Sequence, residues 1–322
     1  MVPKGWTKIC LRDVAEIKRG AGSQYIEYVD TAESGVRLVR ISDFLGDSPK
    51  YVKFNRDINR FLLERGDILI AGTGATAGIV FEVPDHFSGL AFSYNAPRIR
   101  IDNDQANNKY IFYYLQSGHV LRQQKQRFTG NAQPFLDTND IGDFSILLPP
   151  KDEQEKISTL IRTWDKAIET VDKLIENSQK QKKWLMQNLL TGKKRLPGFN
   201  GEWKKGRLST LCTIEKGTQK NKDTLDQSGN HPVINGGIQP SGYCDEYNTE
   251  PHTITISEGG NSCGYVGLVN VPFWCGGHCY ALHNLKIGHM FLYQALKSVE
   301  PEIMKLRVGS GLPNIQKKTC QM

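Results

Sequence analysis

The chain has 322 residues, 39% hydrophobic and 23% charged, with a formal charge of +7 and a pI near 8.9. That length suits two ordinary domains and the composition excludes a disordered chain. No run of roughly 18 apolar residues suits a membrane span, and the stretch Met1 to Trp6 lacks the apolar region of a signal peptide. The charge fits a nucleic-acid partner without requiring one. Seven cysteines with no Cys-x-x-Cys pair predict reduced thiols in a cytoplasm.

In chain order, the first recognisable block runs from Gly5-Trp6 through Leu11 and Ile17 to Gly20. Ile68-Leu69-Ile70 and Ile79-Val80-Phe81 predict short strands around a loop with Gly72, Gly74 and Gly78. A dinucleotide or Walker loop must open a helix, and here another strand follows, ending at Pro84 with no Lys-Ser/Thr after Gly78. The glycines are read instead as a tight turn with exposed backbone N–H groups, suited to close approach to a phosphate backbone. Tyr110 to Phe128 predicts a helix with a basic outer side.

Pro149-Pro150 ends this part, and Asp152 and Glu155 have the spacing of a capping box. Ile157, Ile161, Trp164, Ile168, Val171, Ile175, Leu185 and Leu189 then keep a 3.5-residue rhythm, interrupted by Ser178 and Lys182, and Gly192 stands where a helix C′ glycine belongs. A heptad repeat of that length predicts a coiled-coil seam that requires a partner helix. Lys180, Lys182, Lys183, Lys193, Lys194 and Arg195 are read as a solvated helix face, with contact to phosphates as the alternative.

After this helix the first blocks return. Trp203, Leu208, Ile214 and Gly217 match Trp6, Leu11, Ile17 and Gly20 at one offset. Thr253–Gly264 matches Asp67–Gly78, Tyr293 matches Tyr113, and the Gly309–Pro313 block matches Gly130–Pro134, at steadily smaller offsets. Ordered anchors of this kind indicate a duplicated α+β module, copy–spacer–copy. The boundaries are 1–148, spacer 149–192, linker 193–202 and second copy 203–322. Met290 to Leu306 predicts the second copy's helix.

No His-Glu-x-x-His, Gly-x-Ser-x-Gly or amino-methyltransferase Asn/Asp-Pro-Pro-Tyr/Phe motif is present, which favours a binding protein over an enzyme. Cys275, His278 and Cys279 lack zinc spacing and read as small residues on a β segment, so no metal is expected. If the nucleic-acid partner that the charge allows is DNA, the residues to examine lie at glycine turns and beside strands, where arginine reads guanine and asparagine adenine, although for any one of them a solvated surface residue or a simple phosphate contact is the commoner role. They are Lys18, Arg19, Arg37, Arg40, Thr73, Thr76, Asn95 and Arg98 in the first copy, and Lys216, Lys220, Lys222, Asn235 and Asn261 in the second.

The lead-in Leu147-Leu148-Pro149-Pro150-Lys151-Asp152-Glu153-Gln154-Glu155-Lys156-Ile157 and the exit Leu189-Leu190-Thr191-Gly192-Lys193-Lys194-Arg195-Leu196-Pro197-Gly198-Phe199 resemble the central region of specificity (S) subunits of type I restriction–modification systems. The Gly66–Gly78 and Gly309–Ile315 blocks extend the resemblance to nearly the whole chain. It implies two target recognition domains separated by a long coiled-coil-type helix, in a non-catalytic subunit that reads both halves of a split double-stranded DNA target. The spacer would set the number of unread base pairs. No cofactor is expected on this chain. Methyltransferase subunits would carry S-adenosylmethionine and methylate adenines, and ATP- and Mg-dependent restriction subunits would cut unmodified DNA. The family's second, C-terminal long helix has no counterpart after Ile315, so a truncated second domain is expected. The seam would then pair with a second copy of this chain, as a homodimer, or with the methyltransferase subunits. A silent allele, or a coiled-coil interaction protein without a DNA role, are the alternatives.

Overall fold

A computed structural model describes residues 2–46, 48–128, 134–204, 206–221, 225–226, 228–309 and 313–317. The chain forms two compact units, Met1–Val171 and Asp172–Met322.

In the first unit, four antiparallel strands make one sheet in the order β2 (Ala15–Lys18), β9 (Arg98–Ile101), β6 (Ile68–Ile70) and β7 (Val80–Glu82). A second sheet has the order β3 (Tyr28–Val29), β5 (Lys50–Val52), β4 (Val36–Val39) and β8 (Ala91–Phe92), with β4 and β8 parallel. A two-stranded ribbon pairs β1 (Thr7–Cys10) with β10 (Ser145–Leu148). Helices α1 (Asn108–Leu115), α2 (Gly118–Arg127) and α3 (Thr138–Gly142) complete the unit. The single helix expected from Tyr110 to Phe128 is two, because the Ser117 side chain caps a new start by accepting from the Val120 N–H.

The strands form where apolar side chains can be buried on one or both faces. Ile68, Ile70 and Ile99 pack with Ile111, Leu115, Phe144 and Ile146 in one core. Leu69 points the other way, into a second core with Leu38, Val39, Val52 and Phe92. Every residue of β6 is therefore buried, and this strand joins the two cores.

The second unit repeats the first. Its main sheet has the order β11 (Thr213–Lys216), β17 (Cys279–His283), β14 (Thr253–Ser257) and β15 (Val266–Val269), again antiparallel. Its smaller sheet runs β13 (Tyr243–Cys244), β12 (His231–Ile234) and β16 (Trp274–Cys275), with β12 and β16 parallel as β4 and β8 are. A short helix α5 (Leu208–Leu211) precedes the sheets, and α6 (His289–Ser298) and α7 (Glu300–Lys305) divide the helix expected from Met290 to Leu306.

Hydrogen bonds repeat residue for residue. Ser93 N–H donates to Val39 O as Gly276 N–H does to Ile234 O, and Leu136 N–H donates to Gly72 O as Ile315 N–H does to Glu258 O. Gly74 and Gly260 likewise donate to Pro134 and Pro313. This corrects one expectation. The loop glycine N–H groups are not exposed: Gly72 donates to Asn95 O and Gly78 to Ala71 O, so the loop is fastened from inside.

Helix α4 (Lys151–Leu189) is continuous over 39 residues, or about 58 Å. Its cap is not the expected Asp152–Glu155 box: Pro150 O accepts from the N–H groups of Glu153 and Gln154, and Asp152 lies in the first turn, where its charge suits the helix dipole. Gly192 adopts the left-handed φ of +72° expected of a C′ glycine. The first turns are anchored in the first unit. Gln154 is buried and accepts from Asn107 N–H while donating to Pro149 O, Ile157 packs on the core, and Asp165 accepts from the Tyr113 hydroxyl at 2.7 Å. Beyond that the seam is uncovered: Trp164, Ile168, Val171 and Ile175 are 50–67% exposed. Ile161 and Leu185 are also exposed and Leu189 is half-buried, while Leu160, Leu174 and Trp184, which the heptad reading passed over, widen the stripe. Between α4 and Leu208 the described residues form no helix or strand.

Gly20 and Gly217 sit against the carbonyl oxygens of Phe92 and Ser93 and of Cys275 and Gly276, so near that a Cβ would overlap them. Gly20→Ala and Gly217→Ala should each destabilise their own unit by about 1–3 kcal/mol, measured as a fall in the denaturant midpoint. Burial first, then the Asp165 hydrogen bond, pushes the Tyr113 phenol up to about 12 from the usual 10. Its folded value is raised, so the stability it contributes is full below pH 10 and lost as pH climbs towards 12. Ultraviolet titration of Tyr113→Phe should lack this late-ionising phenol and its share of the alkaline loss.

Candidate nucleic-acid interface

The two sheets of the first unit meet at the ends of β4 and β8, and the chain leaving each strand turns away from the core. The gap is an open cleft of about 820 Å³. Arg40 follows β4, Asn95 follows β8, and Thr73 and Thr76 come from the glycine loop, so four of the expected residues converge on one surface. Gln24, Ser42, Ser93 and Tyr94 join them, and among the described residues no carboxylate lines the cleft. Exposed amides and hydroxyls around one guanidinium can exchange hydrogen bonds with base edges without repelling phosphate. Sequence reasoning missed Gln24 and Tyr94. Gln24 stands on a short 3-10 turn after Gly20, and the Gly22 that precedes it is the only local signal of a turn there.

The other four residues have different tasks. Arg98 is buried, its guanidinium held by Glu16 and lying over the Phe92 ring, so it is a strut between strands. Arg37 donates to Asp43 at 2.9 Å and covers Phe87. Asp43, with a fully buried side chain, also holds Arg40 at 3.3 Å, fixing that arginine at the cleft edge. Arg19 lies between the rings of Tyr94 and Phe135, 4.5 and 4.8 Å from their centres, and donates to Leu136 O. It orients Tyr94, which is itself exposed. Lys18 faces a separate depression with Glu16, Arg60, Glu64 and Arg100.

In the second unit the matching strand registers place Asn235 where Arg40 stands and His278 where Asn95 stands. Asn235 accepts from the His278 N–H at 3.1 Å. Glu258, the counterpart of Gly72, accepts from Lys216 Nζ at 2.6 Å and from the Tyr280 hydroxyl at 3.0 Å, and lies 3.6 Å from the His278 ring. This surface therefore carries a carboxylate network that the first unit lacks. Lys220 pairs with Glu246 and lies over Trp274, Asn261 is exposed at the loop tip, and Lys222 falls outside the described residues. Cys275 and Cys279 are buried, and among the described residues no cluster of three potential ligands could hold a metal. Hydrogen bonding with Cys275 and then burial raise the Cys279 thiol above its ordinary value.

The same α+β module therefore occurs twice in the chain, with the long helix α4 between the copies in sequence and polar surfaces at equivalent loops. The chain matches the family described as type I restriction modification DNA specificity domain over residues 3–177 and 200–321, and it belongs to that family. It is similar to the putative type I specificity subunit S.MpnORF638P of Mycoplasma pneumoniae, 40% identical over 120 residues, which are 36% of this chain and 32% of that protein. It is similar also to the specificity subunit of the type I restriction enzyme MjaVIII of Methanocaldococcus jannaschii, 27% identical over 214 residues, 62% of this chain and 48% of that one. The chain thus spans between about a third and about half the length of these curated relatives. Among solved structures, the type I restriction–modification S subunit from M. genitalium shares the fold with a TM-score of 0.67 at 20% identity, covering 98% of this chain and 83% of that one. No helix among the described residues is long and apolar enough to cross a membrane.

Arg98→Ala should lower the first unit's stability by about 1–3 kcal/mol through lost hydrogen bonds and packing. Chemical denaturation should report that loss, while the DNA sequence preference stays unchanged.

Proposed function

We propose that this chain is the non-catalytic, sequence-reading subunit of a type I restriction–modification assembly, each unit reading one half of a split double-stranded DNA target. The observation that carries this reading is one backbone present twice with different side chains at the reading position: Arg40, Thr73 and Asn95 in the first unit, and Asn235, Gly259 and His278 in the second. Two equal scaffolds with unlike contacts suit an asymmetric target. The formal charge of +7 supports binding to a polyanion.

The catalysis belongs to partners in this reading. Methyltransferase subunits carry S-adenosylmethionine and modify adenines, and restriction subunits use ATP and Mg, all in the cytoplasm. The uncovered stripe from Ile161 to Leu185 supports docking of a partner helix, from the methyltransferase subunits or a second copy of this chain. A monodisperse monomer by light scattering would remove the second source.

The test is methylation by the chain together with its methyltransferase. Asn95→Ala should relax or weaken recognition in one half-site, and His278→Ala in the other, each by roughly 10- to 100-fold for the affected base pair, as for loss of a paired contact of about 1–3 kcal/mol. Equal loss at both halves from either substitution would refute the assignment of one unit to one half-site.

A further inference from the structure

In both units the residue before the junction glycine is a cation: Arg19 before Gly20, and Lys216 before Gly217. In both, that cation is turned onto a group at the reading surface. Arg19 lies over the Tyr94 ring at 4.5 Å and donates to Leu136 O at 2.9 Å. Lys216 donates instead from Nζ to Glu258 Oε1 at 2.6 Å. One position therefore holds an aromatic ring in the first unit and a carboxylate in the second.

Glu258 is fixed through its backbone as well. It follows β14 directly, its N–H donates to His278 O at 2.9 Å, and its carbonyl accepts from Ile315 N–H at 2.8 Å. The hydroxyl of the buried Tyr280 donates to Oε1 at 3.0 Å. Both side-chain donors thus fall on one oxygen. Among the described residues Oε2 receives no hydrogen bond, and it lies 3.6 Å from Nδ1 of the exposed His278. A carboxylate held in this way cannot swing aside, and its spare acceptor capacity is at Oε2. Alone beside a polyanion it would be repelled. Lys216 cancels that charge and leaves the direction of the acceptor intact.

We propose that Glu258 is a specificity-determining residue of the second unit, accepting through Oε2 from the exocyclic amino group of a cytosine, and that Lys216 is the positioning residue that holds it there. Cytosine shows the major groove only its amino donor, whereas adenine places the N7 acceptor beside its own, where a carboxylate is repelled. Gly72 stands at this position in the first unit and presents no side chain, so the two half-sites differ in the base they select here. The inference rests on the reading that each unit recognises one half-site.

The test maps modified adenines made by the chain with its methyltransferase, in the half-site that His278→Ala affects. The unaltered chain should require a cytosine there. Glu258→Gln should move the preference at that base pair from cytosine towards adenine by roughly 10- to 100-fold, because an amide pairs with adenine N6 and N7. An unchanged first half-site and denaturant midpoint show that the variant is folded. Lys216→Met should relax the same base pair and Lys216→Arg should keep it, with the salt dependence of DNA binding unaltered. The Lys216 side chain is half exposed, so these variants carry the readout should Glu258→Gln fail to fold. An unchanged second half-site in Glu258→Gln overturns the proposal and leaves the reading of DNA intact. Uniform weakening across sequences with a shallower salt slope in Lys216→Met makes Lys216 a phosphate contact and overturns its positioning role. Absence of any split motif from the unaltered chain overturns the reading of DNA and this proposal with it.

Discussion

The structure depends on one crowded point in each unit, where a glycine peptide passes under the chain leaving a parallel strand. Gly20 lies against the carbonyls of Phe92 and Ser93, and the N–H of the next residue, Ala21, donates to Phe92 O. Gly217 and Thr218 repeat the arrangement at Cys275 and Gly276. Any side chain there would push apart the two sheets whose junction forms the cleft. Because this junction is backbone on backbone, the residues that follow, Tyr94 and Asn95 or Gly277 and His278, can vary without disturbing it. A surface that can change its side chains while keeping its geometry suits a protein whose task is to discriminate among sequences.

The charged residues divide along the same line. In the first unit Asp43 is taken up by Arg37 and Arg40 and Glu16 by Arg98, so these carboxylates brace the scaffold, and among the described residues none lines the cleft. In the second unit Glu258 sits at the position that matches Gly72, neutralised by Lys216 and hydrogen-bonded to Tyr280. A fixed carboxylate can accept from the amino group of cytosine, whereas the amides and hydroxyls of the first cleft suit other edges. The chemistry of the two surfaces differs where their backbones agree.

Much of this was legible in the residues. The heptad rhythm of α4 and its closing Gly192 follow from helix geometry, and the paired tryptophans, strands and glycine loops disclose the duplication. The strand–loop–strand around Gly72 was readable because a strand ending at Pro84 cannot be a phosphate-binding helix. What stayed hidden was the destination of each cation. Arg98 and Asn95 lie three residues apart, yet one faces the core beside Glu16 and the other the cleft, a difference set by contacts with β2 far away in sequence. Gln24 was missed because no periodicity marks a short 3-10 turn.

The most direct test of the central claim is to express the unaltered chain with its methyltransferase in a host without other adenine methylation and to map every modified adenine. Two unlike recognition surfaces on one chain predict a split motif whose halves differ in sequence. A split palindrome would contradict this account, because it would mean that one kind of surface reads both halves. So would an absence of methylation when the same methyltransferase is active beside an intact specificity subunit.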